Sequence, residues 1–308
     1  MLGQVWPRIG FPVPGKCSRP TIIAALSLIT VLGASSLGTS SVKAGDRVDS
    51  EHLFGFTEGS DIGSQGEREF KSETTLRTGK AAGSFTAGTS EAELKYTLSH
   101  NLRFSAGATL AYFDINGVPG IADANRAAIQ SASFSTRFRL LDRNKAPVGM
   151  TLSVEPHWGF IDETNGSRIG HFGTEAAMLI DRALIPDRLM AAFNMTFEND
   201  RVRPVAPSAV RHESILCSGL ALAARTGPDL WLGAEVRYLR SYDGAALDVL
   251  SGQAVYFGPT AFVALPNNYW LSAALNVQVW ERAVGLPGAF DLTNFDRYQV
   301  KLRVGFDF

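Results

Sequence analysis

Cysteine is almost absent from this chain: of its 308 residues only Cys17 and Cys217 are cysteines. A disulfide framework is therefore excluded as the device that holds the fold together. An excess of positive charge is lacking too, with 29 basic against 30 acidic residues. That balance gives nucleic acid no concentrated cationic face to bind. Histidine is sparse (His52, His100, His157, His171 and His212), and no two stand at a metal-ligand spacing such as His-x-x-x-His. No metal site and no cofactor are expected on that ground. A Gly-x-Ser-x-Gly elbow is missing as well. Ser153, Glu155 and His157 on one strand face are all that a lipid-hydrolase-like alternative would be built from. Long apolar runs are the last absence. After residue 44, no segment stays apolar for the roughly 20 residues that a membrane helix needs.

Before residue 44 the pattern is that of a secretory signal. Arg8, Lys16 and Arg19 form a basic stretch, Ile22 to Leu32 an apolar core, and Val42-Lys43-Ala44 a small-residue cleavage site. The expected organisation is a signal peptide over 1–44, a Gly-, Ser- and Asp-rich lead-in or plug segment over 45–66, and one domain over 67–308. The full chain has a formal charge of −1, and losing Arg8, Lys16, Arg19 and Lys43 with no acid brings it to −5. Cys217 is then the only thiol, so export brings no internal disulfide.

What the chain does have is alternation. From Arg297 to Phe308 one face reads Tyr298, Val300, Leu302, Val304, Phe306 and Phe308, the other Arg297, Gln299, Lys301, Arg303, Gly305 and Asp307. A two-residue period is that of a strand with one apolar and one charged face. The same alternation runs through Leu102–Phe113, Val148–Phe160 and Leu189–Phe197. Twelve strands are predicted, centred near residues 72, 92, 107, 133, 154, 176, 193, 219, 236, 259, 275 and 302; ten or fourteen stay open. The segments near 176 and 219 are poorly phased, and Ala176 to Leu184 has a helical reading too. Pro156 and Pro259 each remove a ladder donor, so bulges are expected there.

Short connections, such as Ser99–Asn101 and Pro266–Asn268, alternate with longer ones, such as Asp114–Arg126 and Arg282–Asn294. Together with the alternation, this predicts an all-β fold: a transmembrane antiparallel up-and-down barrel with membrane strands of roughly 9 to 11 residues. Tyr112, Trp158, Phe160, Tyr238 and Tyr298 fall near one end of the strands and Tyr269, Phe306 and Phe308 near the other, as interfacial girdles would. A last strand with Tyr298, Phe306 and Phe308 on its apolar face resembles that of bacterial outer-membrane proteins, in which it is the signal read by the barrel-assembly machinery. The resemblance implies a place in the bacterial outer membrane, with outer-membrane lipid and that machinery as partners.

The polar faces then line a lumen. Glu73, Glu91, Glu93, Glu155, Glu198 and Glu235 fall on them with Arg103, Arg137, Arg237, Lys301, Arg303 and His157. Such charges orient polar solutes in a channel, and Glu155, Glu198 and Glu235 would favour cations. They also suit salt bridges that close the interior. A passive channel or binding barrel for small solutes, an outer-membrane enzyme, and a structural or adhesion barrel with a filled lumen all remain open.

The segment His52-Leu53-Phe54-Gly55-Phe56-Thr57-Glu58-Gly59-Ser60-Asp61-Ile62-Gly63, followed by Gly66-Glu67-Arg68-Glu69, resembles the opening of an uncharacterised family of exported proteobacterial proteins, a domain of unknown function. That resemblance implies a barrel and assigns no activity. Glu58, Asp61 and Glu67 lack the regular ligand spacing of a calcium loop.

Overall fold

A computed structural model describes residues 49–204, 209–280 and 289–308. The signal-peptide expectation falls on residues outside these. The chain forms β1 (Arg68–Thr78), β2 (Ser84–Ser99), β3 (Leu102–Asn116), β4 (Ala124–Leu141), β5 (Gly149–Ile161), β6 (Arg168–Ile185), β7 (Leu189–Pro204), β8 (Arg211–Arg225), β9 (Leu230–Asp243), β10 (Val249–Ala264), β11 (Tyr269–Trp280) and β12 (Tyr298–Asp307). Each strand pairs antiparallel with the next, and β12 returns to β1 with Phe306 opposite Phe70 and Val300 opposite Leu76. Closure leaves no open edge, the condition for a sheet to stand in an apolar medium. Among the described residues no helix is long and apolar enough to cross a membrane.

The polarity is inside-out. On β12, Arg303 is 0 % exposed while its neighbours Leu302 and Val304 are 41 % and 38 % exposed. Leu94, Leu110, Ile129, Phe160, Leu220 and Phe257 are likewise bare on the outer wall. Water would penalise such a surface; hydrocarbon accepts it, and the charged faces then turn inward.

Two expectations need correction. Neither proline produces a bulge. Pro156 keeps continuous register with β6 and Pro259 with β9. On their other sides the ladders to β4 and β11 resume in unchanged register beyond a two-residue gap. A proline lacks a single donor, so interrupting one ladder suffices. Bulges occur elsewhere, one of them between β3 and β4, where Thr109 pairs with Ser131 but Leu110 with Ile129. The skipped Gln130 turns inward beside Ser131, which adds a polar side chain to the wall. Most strands also run longer than roughly 9 to 11 residues, up to 18 in β4 and β6, while β1 has 11 and β12 has 10. They absorb much of the predicted long connections. The strand predicted near 176 is present: Ala176 to Leu184 is strand throughout, without a helical turn.

One end of the barrel, called here the turn end, carries the short connections together with Arg68 and Asp307; the loop end is opposite. Inside the turn end lies the segment 50–62, with Leu53, Phe54 and Ile62 buried. At the loop end, two smaller apolar clusters point inward. Phe85, Phe113, Ile115 and Ile161 form one, and Tyr256 with Phe295 forms the other.

Candidate functional site

The inner segment is held by groups from most of the wall. Leu53 and Phe54 pack with Met190, Ala192, Ala221, Trp231 and Trp270, the inward apolar positions of neighbouring strands. The His52 ring stacks on Trp270 with centroids 3.8 Å apart. Gly55 passes so close to β9 and β11 that a Cβ there would stand 2.4 Å from Ala274 Cβ and 2.5 Å from Glu235 Oε1.

Main-chain groups that no sheet satisfies are met by the wall's side chains. Glu235 accepts from the Phe56 and Thr57 amides, each 2.9 Å from Oε2, while Asn276 donates to Oε1 at 2.8 Å. Asn194 accepts from the Glu58 amide at 2.7 Å and donates to its carbonyl at 2.8 Å. Asp181 accepts from the Ser60 amide at 2.8 Å and hydroxyl at 2.9 Å. Arg303 donates to Ser272 at 2.9 Å, to the His52 carbonyl at 3.3 Å and to the Phe54 carbonyl.

The segment's own carboxylates answer the cations of the wall. Glu51 pairs with Lys95 at 2.8 Å, with Arg137 at 3.2 Å and bidentately with Arg103. Glu58 bridges Arg137 at 2.5 Å and Arg303 at 3.5 Å, and Asp61 pairs with Arg143. Burial pushes the Glu51 carboxyl up, but Arg103, Lys95, His52 and Arg137 outweigh it and hold the group well below the usual carboxylate range. Glu58 is also depressed, with burial outweighed by Arg137, Lys71 and Arg303. Breaking one side of such a buried pair costs about 3–5 kcal/mol.

Beyond this closure, toward the loop end, lies a cavity of about 340 Å³. Among the described residues, six carboxylates line it (Glu73, Glu91, Glu155, Glu163, Glu175 and Glu198), against one guanidinium, Arg77, and His157. Glu73 is partly neutralised by Lys301 at 2.5 Å, and Gln130 donates to Glu163 at 2.8 Å. Glu155 stands directly opposite Glu175, and Glu175 directly opposite Glu198. Like charges at facing positions are destabilising, and here three share one row across β5, β6 and β7.

The sequence-predicted lumenal residues thus fall into two groups. Glu73, Glu91, Glu155, His157 and Glu198 line the cavity. Arg103, Arg137, Glu235 and Arg303 grip the inner segment. Between the groups, Glu93 pairs with Lys71 at 2.8 Å, while Arg237 lies 3.8 Å from the Phe56 ring and Lys301 4.7 Å. Glu235 is occupied by the segment's amides and does not join Glu155 and Glu198. Ser153 lies 3.4 Å from Ser135 Oγ, and His157 faces Asp200, so Ser153, Glu155 and His157 do not assemble as a triad. Phe306 gathers Phe70, Tyr269 and Phe308 at the turn end, with centroids 5.1–5.7 Å away. Tyr298 is exposed near the loop end. Sequence reasoning missed Glu175, which sits in a poorly phased strand, and Asp181, whose signal was an acid directly after the apolar run Met178-Leu179-Ile180.

The fold is shared with an outer membrane channel of Pseudomonas putida F1 (COG4313): TM-score 0.54, 11 % identity, covering 81 % of this chain and 98 % of the channel. The NanC porin (TM-score 0.47, 8 % identity, 77 % of this chain and 98 % of that one) is looser. So is the translocator domain of the autotransporter NalP from Neisseria meningitidis (TM-score 0.47, 14 % identity, 81 % and 91 %). No curated protein matches the sequence. A closed twelve-stranded barrel with its inner segment accounts for nearly the whole stretch 46–308, over which the chain matches and belongs to a family of unknown function, DUF6662.

Proposed function

We propose that the protein is a bacterial outer-membrane barrel that binds small cationic solutes in its loop-end cavity and passes them only when its inner segment moves. The row Glu155–Glu175–Glu198 carries this reading. Facing carboxylates repel one another, and a cation among them relieves that cost. Low-dielectric walls strengthen the attraction relative to open water. An outward apolar belt and the fold shared with an outer membrane channel support the location. The buried segment 50–62 occupies the turn end and a cavity lies beyond it, which favours a binding barrel over one filled along its length.

The test is calorimetric titration of the purified barrel with a linear polyamine and, separately, with a sugar acid of similar size. The polyamine binds, more weakly as salt rises, and the triple variant Glu155→Gln, Glu175→Gln, Glu198→Gln binds it at least tenfold less tightly. Equal affinity of wild type and triple variant, or preference for the anion, would overturn the reading.

A further inference from the structure

Two tripeptides of one pattern lie on paired strands: His157-Trp158-Gly159 on β5 and His171-Phe172-Gly173 on β6. Antiparallel register sets His157 opposite Gly173 and His171 opposite Gly159. Trp158 and Phe172 meet on the outer wall, centroids 5.7 Å apart, while both imidazoles turn inward. Each imidazole lies over a glycine. A Cβ at 173 would stand 2.3 Å from His157 Nε2 and 1.9 Å from Asp200 Oδ1, and one at 159 would stand 2.5 Å from His171 Nδ1. The glycines leave space that any side chain would fill.

Asp200 on β7 completes the cluster. Its Oδ1 lies 2.8 Å from His171 Nε2 and 3.2 Å from His157 Nε2. The three ligand atoms all fall within 4.8 Å of one another. His171 supplies the decisive observation. Its side chain is only 9 % exposed, yet among the described residues Nε2 has no well-directed hydrogen-bond partner despite its nearness to the carboxylate. Distance is satisfied and direction is not, which is how ligands stand around a shared centre rather than donor against acceptor. Glu198 Oε1, 3.6 Å from His157 Nε2, offers a further carboxylate on the cavity side.

We propose that His157, His171 and Asp200 bind one divalent transition-metal ion of the zinc or cobalt class, with its open position toward the acidic cavity. Metal–ligand bonds of about 2.0–2.2 Å place tetrahedral ligands roughly 3.3–3.6 Å apart, near the 3.2 Å between His157 and Asp200 and somewhat beyond the 2.8 Å between His171 and Asp200. Two imidazoles select such an ion over calcium or magnesium, which take oxygen donors. Carboxylates along the cavity raise the local cation concentration. The proposal goes beyond the solute-binding reading and stands whether or not the barrel conducts.

The full chain, purified in detergent and stripped with chelator, is titrated with cobalt(II). One ion per barrel binds with the visible absorption of a low-symmetry site. Zinc displaces it and a hundredfold excess of calcium does not. His171→Ala and Asp200→Asn each weaken binding at least tenfold. Gly173→Ala, which fills the cradle without removing a ligand, weakens it as well, with heat-modifiable mobility on gels reporting that each variant is folded. Absence of cobalt binding at micromolar protein overturns the site, as does wild-type affinity in folded His171→Ala or displacement by calcium as readily as by zinc.

Discussion

Arg303, fully buried on β12, donates a hydrogen bond to the main-chain carbonyl of Phe54. The strand that closes the barrel is thereby tied to the segment that fills its turn end. A second tie on another strand is Glu235 on β9, which accepts hydrogen bonds from the amides of Phe56 and Thr57.

Cutting these ties opens the lumen. Arg303→Ala leaves the Phe54 carbonyl without its donor, and Glu235→Ala leaves the part-buried Phe56 amide and the buried Thr57 amide unpaired, at about 1–3 kcal/mol for each unsatisfied buried group. In planar bilayers the double variant conducts more, and for longer, than wild type. Conductance identical to wild type, with both proteins shown folded, would mean that the segment does not close the pathway.

Acid is the second way to loosen the segment. Glu51 and Glu58 have carboxyls depressed below their ordinary value of 4.5, so their stabilisation is complete above that value and falls as pH drops through the depressed one. Hydrogen exchange of amides 50–62 therefore stays protected down to about pH 4.5, the ordinary carboxyl value, and rises only in stronger acid. Release between pH 6 and 7 would contradict this sign.

Faces of the wall are tested by one pair of substitutions. Val304 is on the outer belt, and Lys301 faces the Phe56 ring inside. Val304→Arg costs about 2–4 kcal/mol near the bilayer midplane, whereas Lys301→Arg keeps a cation beside Glu73. Refolding yield into lipid vesicles should fall sharply only for Val304→Arg, and equal losses would invert the assignment of faces.

Much of the fold was legible because a barrel strand carries its environment in every second residue. Tyr298 to Asp307 reads as strand, with its two faces, from side-chain polarity alone. The strand around 176 was ambiguous because Ala176, Ala177, Met178 and Leu179 put apolar residues on both faces. Part of its inner face meets Asp181 and the buried segment rather than open lumen. Strand length was misjudged because alternation continues beyond roughly 9 to 11 residues and no local signal marks where a strand ends.

The candidate sites were far less legible. Alternation placed Glu155, His157 and Glu198 on inner faces, yet their meaning depends on which residue of the neighbouring strand stands opposite. Register decides that, and it is set by hairpins and bulges acting over the whole sheet. The row Glu155–Glu175–Glu198 and the crossing of His157 with Gly173 come from register alone. By itself the sequence determined the class of fold and the polarity of its two faces, since these follow from local periodicity. Only the tertiary structure decided that residues 50–62 occupy the turn end and that His157, His171 and Asp200 converge, because those contacts join residues up to about 250 apart through closure of the sheet.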